Sequence, residues 1–192
     1  IPIEGGTILA VGDRVATSDL LSLLLVASDN AAGRALSRAM TGGTAAFVAD
    51  LRTTARDLGA STIQVVEPTG LDPANVGSAV DVVPVLAAAL AERDIATRLL
   101  MSEVEVDPHR SDGRLLHAQT TDVLLRDRVR HAFAIRGGKT GYLNEAGSNF
   151  TLVVERNGHQ IAIVILGSAT RDDRFRDARI LADWVFRNYR WP

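Results

Sequence analysis

The amino-acid sequence predicts an α+β fold in which a helical lobe is followed by an antiparallel sheet, and a C-terminal helix covers that sheet. Helix caps and apolar residues at helical spacing dominate the first half of the chain. Two β-prone runs, 148–156 and 160–168, flank Asn157-Gly158, a dipeptide typical of a tight hairpin. An amphipathic run over 172–189 closes the chain. The expected bounds are about 17–118 for the lobe and about 129–190 for the sheet with its helix.

Five helices are expected in the lobe. Thr17 is a favourable N-cap for the first, and the apolar run 20–27 predicts that this helix is buried. Asn30 is the expected N-cap of the second helix. Ser78 and Asp81 resemble a capping pair that opens the fourth. The expected helical ranges are 18–27, 31–40, 44–58, 79–91 and 95–102.

The sheet is expected to begin with the extended run 129–142, which leads through a turn at 144–147 into the hairpin strands. The closing helix should bury one apolar face against the sheet. The residues expected on that face are Phe175, Ala178, Ile180, Leu181, Trp184 and Val185. Residues 104–117 are polar and mixed, and they predict only a turn at 111–113.

Composition argues against several functional classes. Apolar residues make up 46% of the 192 residues and charged residues 23%, which is typical of a folded globular protein. The net charge of −2, without a basic cluster interleaved with aromatics, argues against nucleic-acid binding. No apolar run reaches transmembrane length. The absence of cysteine excludes thiol catalysis, and the four histidines lack metal-ligand spacing, so we expect no metal and no cofactor.

Lys139 is the only lysine in the chain, whereas the other 20 of the 21 basic residues are arginines. It lies in Gly137-Gly138-Lys139-Thr140-Gly141-Tyr142, a β-prone run whose glycines suggest that a ligand or another backbone approaches closely. An amine beside a hydroxyl on an open strand edge would suit a substrate carboxylate. The alternative from these residues alone is a solvated surface lysine near a hairpin.

A second polar group, Ser28-Asp29-Asn30, stands at the joint between the buried helix and its successor. These residues have two interpretations. They are either cap and turn residues only, or side chains that the buried helix holds rigidly in a cleft. A cleft between lobe and sheet would bring Ser28 and Asn30 opposite Lys139.

Ser28-Asp29-Asn30 and Lys139-Thr140-Gly141 occur in the order and at the separation found in penicillin-binding proteins and class A β-lactamases. The chain resembles most the low-molecular-mass penicillin-binding proteins, the serine D-alanyl-D-alanine carboxypeptidases and endopeptidases of peptidoglycan. The supporting stretches cover nearly the whole chain: 20–33, 58–59, 66–71, 78–81, 138–147 and 163–167 with the closing helix. The resemblance implies a β-lactamase/DD-peptidase-like fold.

The resemblance also implies roles for individual residues. Ser28, Asn30 and Lys139 would be catalytic: Ser28 would relay a proton to the departing amine, and Asn30 would bind the substrate amide. Lys139 would supply charge for the terminal carboxylate. The expected substrate-binding residues are Thr140, Gly141 and Tyr142. The implied partners are peptidoglycan stem peptides, with β-lactams as inhibitors, and the implied location is the periplasm or cell-wall side of the membrane. Membrane association would come through parts outside this chain.

One motif of that family, Ser-x-x-Lys with its nucleophilic serine, cannot occur in this sequence, because residue 136, three positions before the only lysine, is an arginine. We therefore expect residues 1–192 to be a partial transpeptidase-like domain that is inactive alone. A missing N-terminal segment or a second chain would complete the fold, and without it the chain should be weakly stable. The alternative function is a non-catalytic module that binds peptidoglycan or β-lactams.

The sequence departs from the family pattern at two places, and Glu67 offers an alternative role. Residues 119–125 stand where the family commonly has Asn-Thr-Asn, and no role is assigned to them. Asp29 replaces the glycine of many carboxypeptidases, which leaves substrate preference open. Glu67 precedes a Pro-Thr-Gly loop, so a deacylating glutamate is a weaker alternative.

Overall fold

The computed structural model describes residues 6–126 and 131–191. The helices in this part are α1 (Thr17–Ala27), α2 (Asn30–Ala39), α3 (Gly43–Asp57), α4 (Ala79–Ala91), α5 (Arg93–Arg98), α6 (Val123–Arg126) and α7 (Arg171–Asn188). The strands are β1 (Glu103–Val106), β2 (Leu116–Gln119), β3 (Ala134–Leu143), β4 (Gly147–Arg156) and β5 (His159–Ser168).

The core of the lobe forms where α1 and α2 meet an antiparallel ribbon of β1 and β2. Val104 pairs with Ala118 and Val106 with Leu116, so every second residue of the ribbon points toward α1. Leu23 and Val26 of α1 pack on these residues and are buried. This ribbon was not predicted from the sequence, because each strand has only four residues and its partner lies beyond a polar loop.

The second core lies under the three-stranded antiparallel sheet, whose order is β3-β4-β5. The helix α7 packs against β4 and β5, and α4 packs against β5. The buried residues of this core are Leu124, Phe133, Phe150, Leu152, Val154, Ile163, Phe175, Ala178 and Ala182. The predicted α+β class, with an antiparallel sheet and a covering C-terminal helix, is confirmed. The exact division between lobe and sheet stays a prediction.

The turn between β4 and β5 follows the sequence prediction. Asn157 has φ 54° and Gly158 has φ 81°, so both residues adopt left-handed backbone conformations. A two-residue hairpin turn needs this conformation because it matches the twist of the flanking strands. The pairing of Arg156 with His159 then sets the register of the two strands.

Several predicted helix starts were wrong by one or more residues. Thr17 is the first residue of α1, and Ala16 occupies the cap position without a side-chain bond. Asp29, not Asn30, caps α2, because its carboxylate reaches the free N–H of Ala32. The predicted start of α5 at residue 95 was two residues late, because the helix begins at Arg93 and Glu92 takes the cap position. The first two residues of the predicted extended run 129–142 lie outside the described residues.

The predicted inward face of α7 was partly wrong. Phe175 and Ala178 are buried as expected, but Ile180, Leu181 and Trp184 are exposed. The buried stripe follows the helical spacing 174, 175, 178 and 182, and residues 180 and 184 lie across the helix from it. Ile180, Leu181 and Trp184 were therefore assigned to the wrong face because they were selected by apolar character alone.

Candidate active site

Ser28 is the residue at which α1 ends. Its backbone is left-handed, with φ 57° and ψ 38°, and its N–H donates to the carbonyl oxygen of Leu23. This conformation ends the helix and turns the chain, so that α2 begins at Asn30. The Ser28 side chain is thus presented from a short, hydrogen-bonded joint between two helices.

Asp29 fixes that joint from inside the lobe. One carboxylate oxygen accepts the N–H of Ala32 at 3.0 Å, and the other accepts the N–H of Ile8 at 3.0 Å. The residue is only 2% exposed. Both carboxylate oxygens are occupied by backbone donors, so Asp29 holds the segment before α1 against the start of α2. Asn30, the first residue of α2, is half-buried.

Lys139 lies on β3 and reaches across to the lobe. Its Nζ donates hydrogen bonds to Ser28 Oγ and, at 3.0 Å, to the carbonyl oxygen of Thr140. Lys139 and Ser28 are 111 positions apart in the chain. The structure therefore brings together the Ser-Asp-Asn and Lys-Thr-Gly groups at one point between lobe and sheet.

Thr140 follows on the same strand and is nearly buried, with 6% exposure. Its Oγ1 lies 2.5 Å from Oγ1 of Thr121, at hydrogen-bonding distance. The glycine before Lys139 is required by space, because a Cβ on Gly138 would lie 2.8 Å from the carbonyl oxygen of Thr151 on β4. The lysine strand is thus packed tightly against its neighbour.

The remaining predicted residues, Gly141 and Tyr142, continue β3 away from Lys139. The carbonyl oxygen of Gly141 accepts a hydrogen bond from Nη1 of buried Arg174 at 3.1 Å. Tyr142 is 41% exposed, and its hydroxyl donates to Asn144 Oδ1 at 2.8 Å. The guanidinium of Arg171 lies 5.0 Å from the Tyr142 ring centre, within range of a cation–π contact.

The structure adds three residues that the sequence analysis did not select: Thr121, Asp122 and Arg174. Asp122 is 2% exposed, and burial raises the pKa of its carboxyl to about 6. The backbone N–H groups of Leu124 and Leu125, and then the charges of Arg174 and Lys139, act in the opposite direction. One of its oxygens, Oδ2, accepts no hydrogen bond from the described residues. The only sequence signal was a polar Thr-Thr-Asp run before an apolar pair.

The Glu67 carboxylate is hydrogen-bonded within its own loop, residues 67–75. Its carboxylate accepts hydrogen bonds from the backbone and hydroxyl of Thr69, from the N–H of Leu71 and from the Asn75 amide, at 2.6–3.0 Å. Burial alone would raise the pKa of Glu67, but these hydrogen bonds together outweigh it and hold the pKa below its ordinary value. This environment suits a loop-stabilising carboxylate.

The electrostatics of the site favour an anionic ligand. A half-buried ammonium group meets two hydroxyl-bearing residues, and β3 is an edge strand in the sheet order β3-β4-β5. Charge-assisted hydrogen bonds from such groups suit a carboxylate. Over residues 6–126 and 131–191, no group of three His, Asp or Glu side chains could hold a metal ion. In the same residues no helix is both long and apolar enough to cross a membrane.

A cavity of about 850 Å³ borders the joint, and its lining includes Ala27 and Asp29. The β1–β2 ribbon and residues 6–8 line it, and its lining includes neither Ser28 nor Lys139. The chemistry of the candidate site is therefore not in this cavity but at the contact between α1 and β3.

The sequence is similar to those of known D-alanyl-D-alanine peptidases. The family described as D-alanyl-D-alanine carboxypeptidase matches residues 6–170. A D-alanyl-D-alanine endopeptidase of Pseudomonas aeruginosa is 29% identical over 175 residues, which cover 91% of this chain and 55% of that protein. The chain spans about half the length of the curated relatives it matches.

Solved structures show the same fold. A D-alanyl-D-alanine carboxypeptidase from Mycobacterium tuberculosis H37Rv has a TM-score of 0.81 and 28% identity, with coverage of 94% of this chain and 69% of that one. Penicillin-binding protein D2 from Listeria monocytogenes, in its ampicillin-bound form, has a TM-score of 0.75 and 26% identity, with coverage of 89% and 67%. Since the family match spans most of the sequence, the chain belongs to the D-alanyl-D-alanine carboxypeptidase family.

Proposed function

We propose that this chain forms the carboxylate-binding and proton-transfer part of a serine-type D-alanyl-D-alanine peptidase, a hydrolase of peptidoglycan stem peptides. One observation carries the proposal: the Lys139 ammonium donates to the Ser28 hydroxyl, so a cation from the sheet meets a hydroxyl from the lobe. The family and the names of its relatives supply the substrate class. Both carboxypeptidase and endopeptidase names occur among them.

In this proposal the lysine strand binds the end of the peptide. Lys139 supplies positive charge for the terminal carboxylate, and Thr140 donates its hydroxyl proton to the same group. The substrate backbone lies as an added strand along the edge of β3 that does not pair with β4, so Gly141 and Tyr142 contribute peptide groups. A backbone N–H near Tyr142 serves as an oxyanion donor, which is worth about 3 kcal/mol in the transition state.

The nucleophile in this proposal comes from polypeptide outside these 192 residues, either an N-terminal segment or a second chain. The sequence cannot contain Ser-x-x-Lys, and a serine hydroxyl needs an adjacent base to attack at neutral pH. The incoming serine attacks the carbonyl between two D-alanines and forms the acyl-enzyme. Ser28 passes a proton to the departing amine, and Asn30 binds the substrate amide and orients the incoming lysine.

A non-catalytic module of the same fold is the second candidate, and the missing Ser-x-x-Lys motif favours it. Such a module would bind peptidoglycan peptides or β-lactams without acylation. The related protein from Listeria monocytogenes in its ampicillin-bound form supports β-lactams as ligands in either case. Since peptidoglycan lies outside the cytoplasmic membrane, both candidates place the protein on the periplasmic or cell-wall side. Any membrane association would come from parts outside these residues.

The first test is the intact mass of the chain after incubation with benzylpenicillin. No adduct is expected, because no serine in these residues has the lysine partner of the family motif. A stoichiometric adduct would contradict this division of roles and would make Ser28 the first residue to examine. A longer form carrying Ser-x-x-Lys ahead of Ile1 then separates the two candidates, since only the enzyme should become acylated.

The second test removes the positive charge. Lys139→Met should weaken binding of an N-acylated D-alanyl-D-alanine dipeptide by about 10- to 100-fold, because a hydrogen bond to a charged group is lost. Isothermal titration calorimetry measures the affinity. Arg187→Met, at an exposed position on α7, makes the same change in net charge and should leave the affinity unchanged. Equal losses in both variants would refute a specific role for Lys139.

A further inference from the structure

Residues 119–122 run between the two halves of the candidate site, which are the lobe that carries Ser28 and the sheet that carries Lys139. The N–H of Thr120 donates to the carbonyl oxygen of Ser102 at 2.8 Å, which anchors the segment to the start of the ribbon. The N–H of Thr121 donates to the carbonyl oxygen of Val26 at 3.3 Å. The Thr121 hydroxyl meets the Thr140 hydroxyl at 2.5 Å. The segment therefore touches both the helix that ends at Ser28 and the strand that carries Lys139.

Thr121 contacts both halves of the site, in addition to the direct hydrogen bond between Lys139 and Ser28. Its backbone is bonded to α1 two residues before Ser28, and its side chain is bonded to β3 one residue after Lys139. We infer that Thr121 is a positioning residue, which directs the Thr140 hydroxyl toward the carboxylate of a ligand and so determines recognition of that carboxylate. This inference rests on the proposed function of Lys139 and Thr140.

The direction of the hydrogen bond follows from the number of protons available. Each hydroxyl has one proton to donate and two lone pairs that accept. A ligand carboxylate only accepts, so Thr140 must give it the single proton of its hydroxyl. Thr121 is then the donor in the threonine pair. Its proton binds to a lone pair of Thr140 Oγ1, so the hydroxyl proton of Thr140 is left to point toward the ligand.

The neighbouring contacts hold Thr121 in place for this role. The hydroxyl of Thr120 accepts the N–H of Asp122 at 3.2 Å, and the carboxylate of Asp122 accepts the N–H of Leu124 at 2.9 Å. The N–H of Arg126 reaches the Asp122 carbonyl oxygen at 3.1 Å. Thr121 itself is 7% exposed. The side chain that meets Thr140 thus belongs to a cap and turn with several internal bonds.

The alternative is a structural role, in which Thr121 merely ties β3 to the lobe. That role predicts a loss of stability and an equal loss of affinity for every ligand of the site. The positioning role predicts a loss confined to ligands that carry a carboxylate. Selectivity between two matched ligands therefore distinguishes the two roles.

The test compares an N-acylated D-alanyl-D-alanine dipeptide with its C-terminal amide, by calorimetric titration of the whole chain. Thr121→Val keeps the shape and removes the hydroxyl, so it should weaken carboxylate binding by about 10-fold and leave amide binding unchanged. Thr121→Ser keeps the donor and should retain the wild-type preference. Thr97→Val on α5, where the hydroxyl donates to the carbonyl oxygen of Arg93 in the same helix, is the matched control and should bind as the wild type does.

Two additional measurements keep the inference falsifiable. Thr121→Ala deletes the same hydroxyl and is titrated in parallel, in case the valine variant does not fold. In a Thr140→Val background the Thr121→Val change should have no further effect on carboxylate binding, because the hydroxyl that it positions is gone.

The outcomes separate this inference from the proposed function. A wild type that binds the acid and the amide equally would overturn both. A wild type that prefers the acid, with the preference intact in the Thr121 variants, would overturn the positioning role alone. An equal loss for both ligands would also overturn it, in favour of the structural role.

Discussion

Phe150→Ala should lower the free energy of unfolding by about 3–5 kcal/mol, the usual range for a buried phenylalanine whose removal leaves a cavity. Phe150 is wholly buried on β4, between Thr140 on β3 and Ile165 on β5. Its ring meets that of Phe175 edge-on, with the ring centres 4.9 Å apart. The substitution therefore removes one of the contacts between the sheet and α7, on the strand that pairs with Thr140.

Chemical denaturation followed by circular dichroism measures this loss. Trp184→Ala is the matched control, because it also truncates an aromatic side chain but at a position that is 61% exposed. The control should change stability by less than about 1 kcal/mol. Similar losses in both variants would mean that the core of the sheet is not centred on Phe150.

Asp122→Asn should change how the free energy of unfolding depends on pH, by about 2.5 kcal/mol between pH 4 and pH 7. Burial raises the pKa of Asp122 from its ordinary value of 3.8 to about 6, a difference of about two units at about 1.4 kcal/mol each. The folded protein keeps this proton at pH values where the unfolded chain has already lost it. The stability from Asp122 is thus complete below about pH 3.8 and is lost as the pH rises through about 6.

Asparagine does not titrate, so the variant should gain stability relative to the wild type as the pH rises from 4 to 7. Urea titrations of both proteins across this range measure the difference. Other carboxyl groups, such as Glu67 with its lowered pKa, contribute equally to both proteins and cancel. Asp50→Asn, at an exposed position on α3, should follow the wild type. A constant difference between wild type and Asp122→Asn would refute the raised pKa.

Elements with a local signal in the sequence were predicted well. Asn157-Gly158 adopts the backbone that its hairpin requires, and Ser78 caps α4 through the N–H of Asp81. The β1–β2 ribbon was missed because short strands are specified by packing on α1 and not by their own pattern. The cap of α2 was misplaced because Asp29 and Asn30 are equally good caps in isolation. The contact of Asp29 with Ile8 comes only from the fold.

The candidate site was predictable to a similar extent. The unusual lysine and the polar joint at Ser28 were visible in the sequence, and the structure brings them into contact. Thr121 was not predictable, because its importance depends on two partners, Val26 and Thr140, that lie far from it in the chain. Arg174 was hidden for a similar reason: an arginine in an acidic, arginine-rich run is usually exposed, yet this one is buried against the carbonyl oxygens of β3 and β4.

The left-handed backbone at Ser28 bears on how natural selection acts on this position. For a residue with a Cβ, φ near 57° costs roughly 1–2 kcal/mol, whereas glycine adopts it freely. Stability alone would therefore favour glycine at the end of α1. A lineage that keeps serine at this position has a less stable helix end, but it retains the hydroxyl oxygen that Lys139 contacts. Residue 28 should thus be conserved for its chemistry and against its conformational preference.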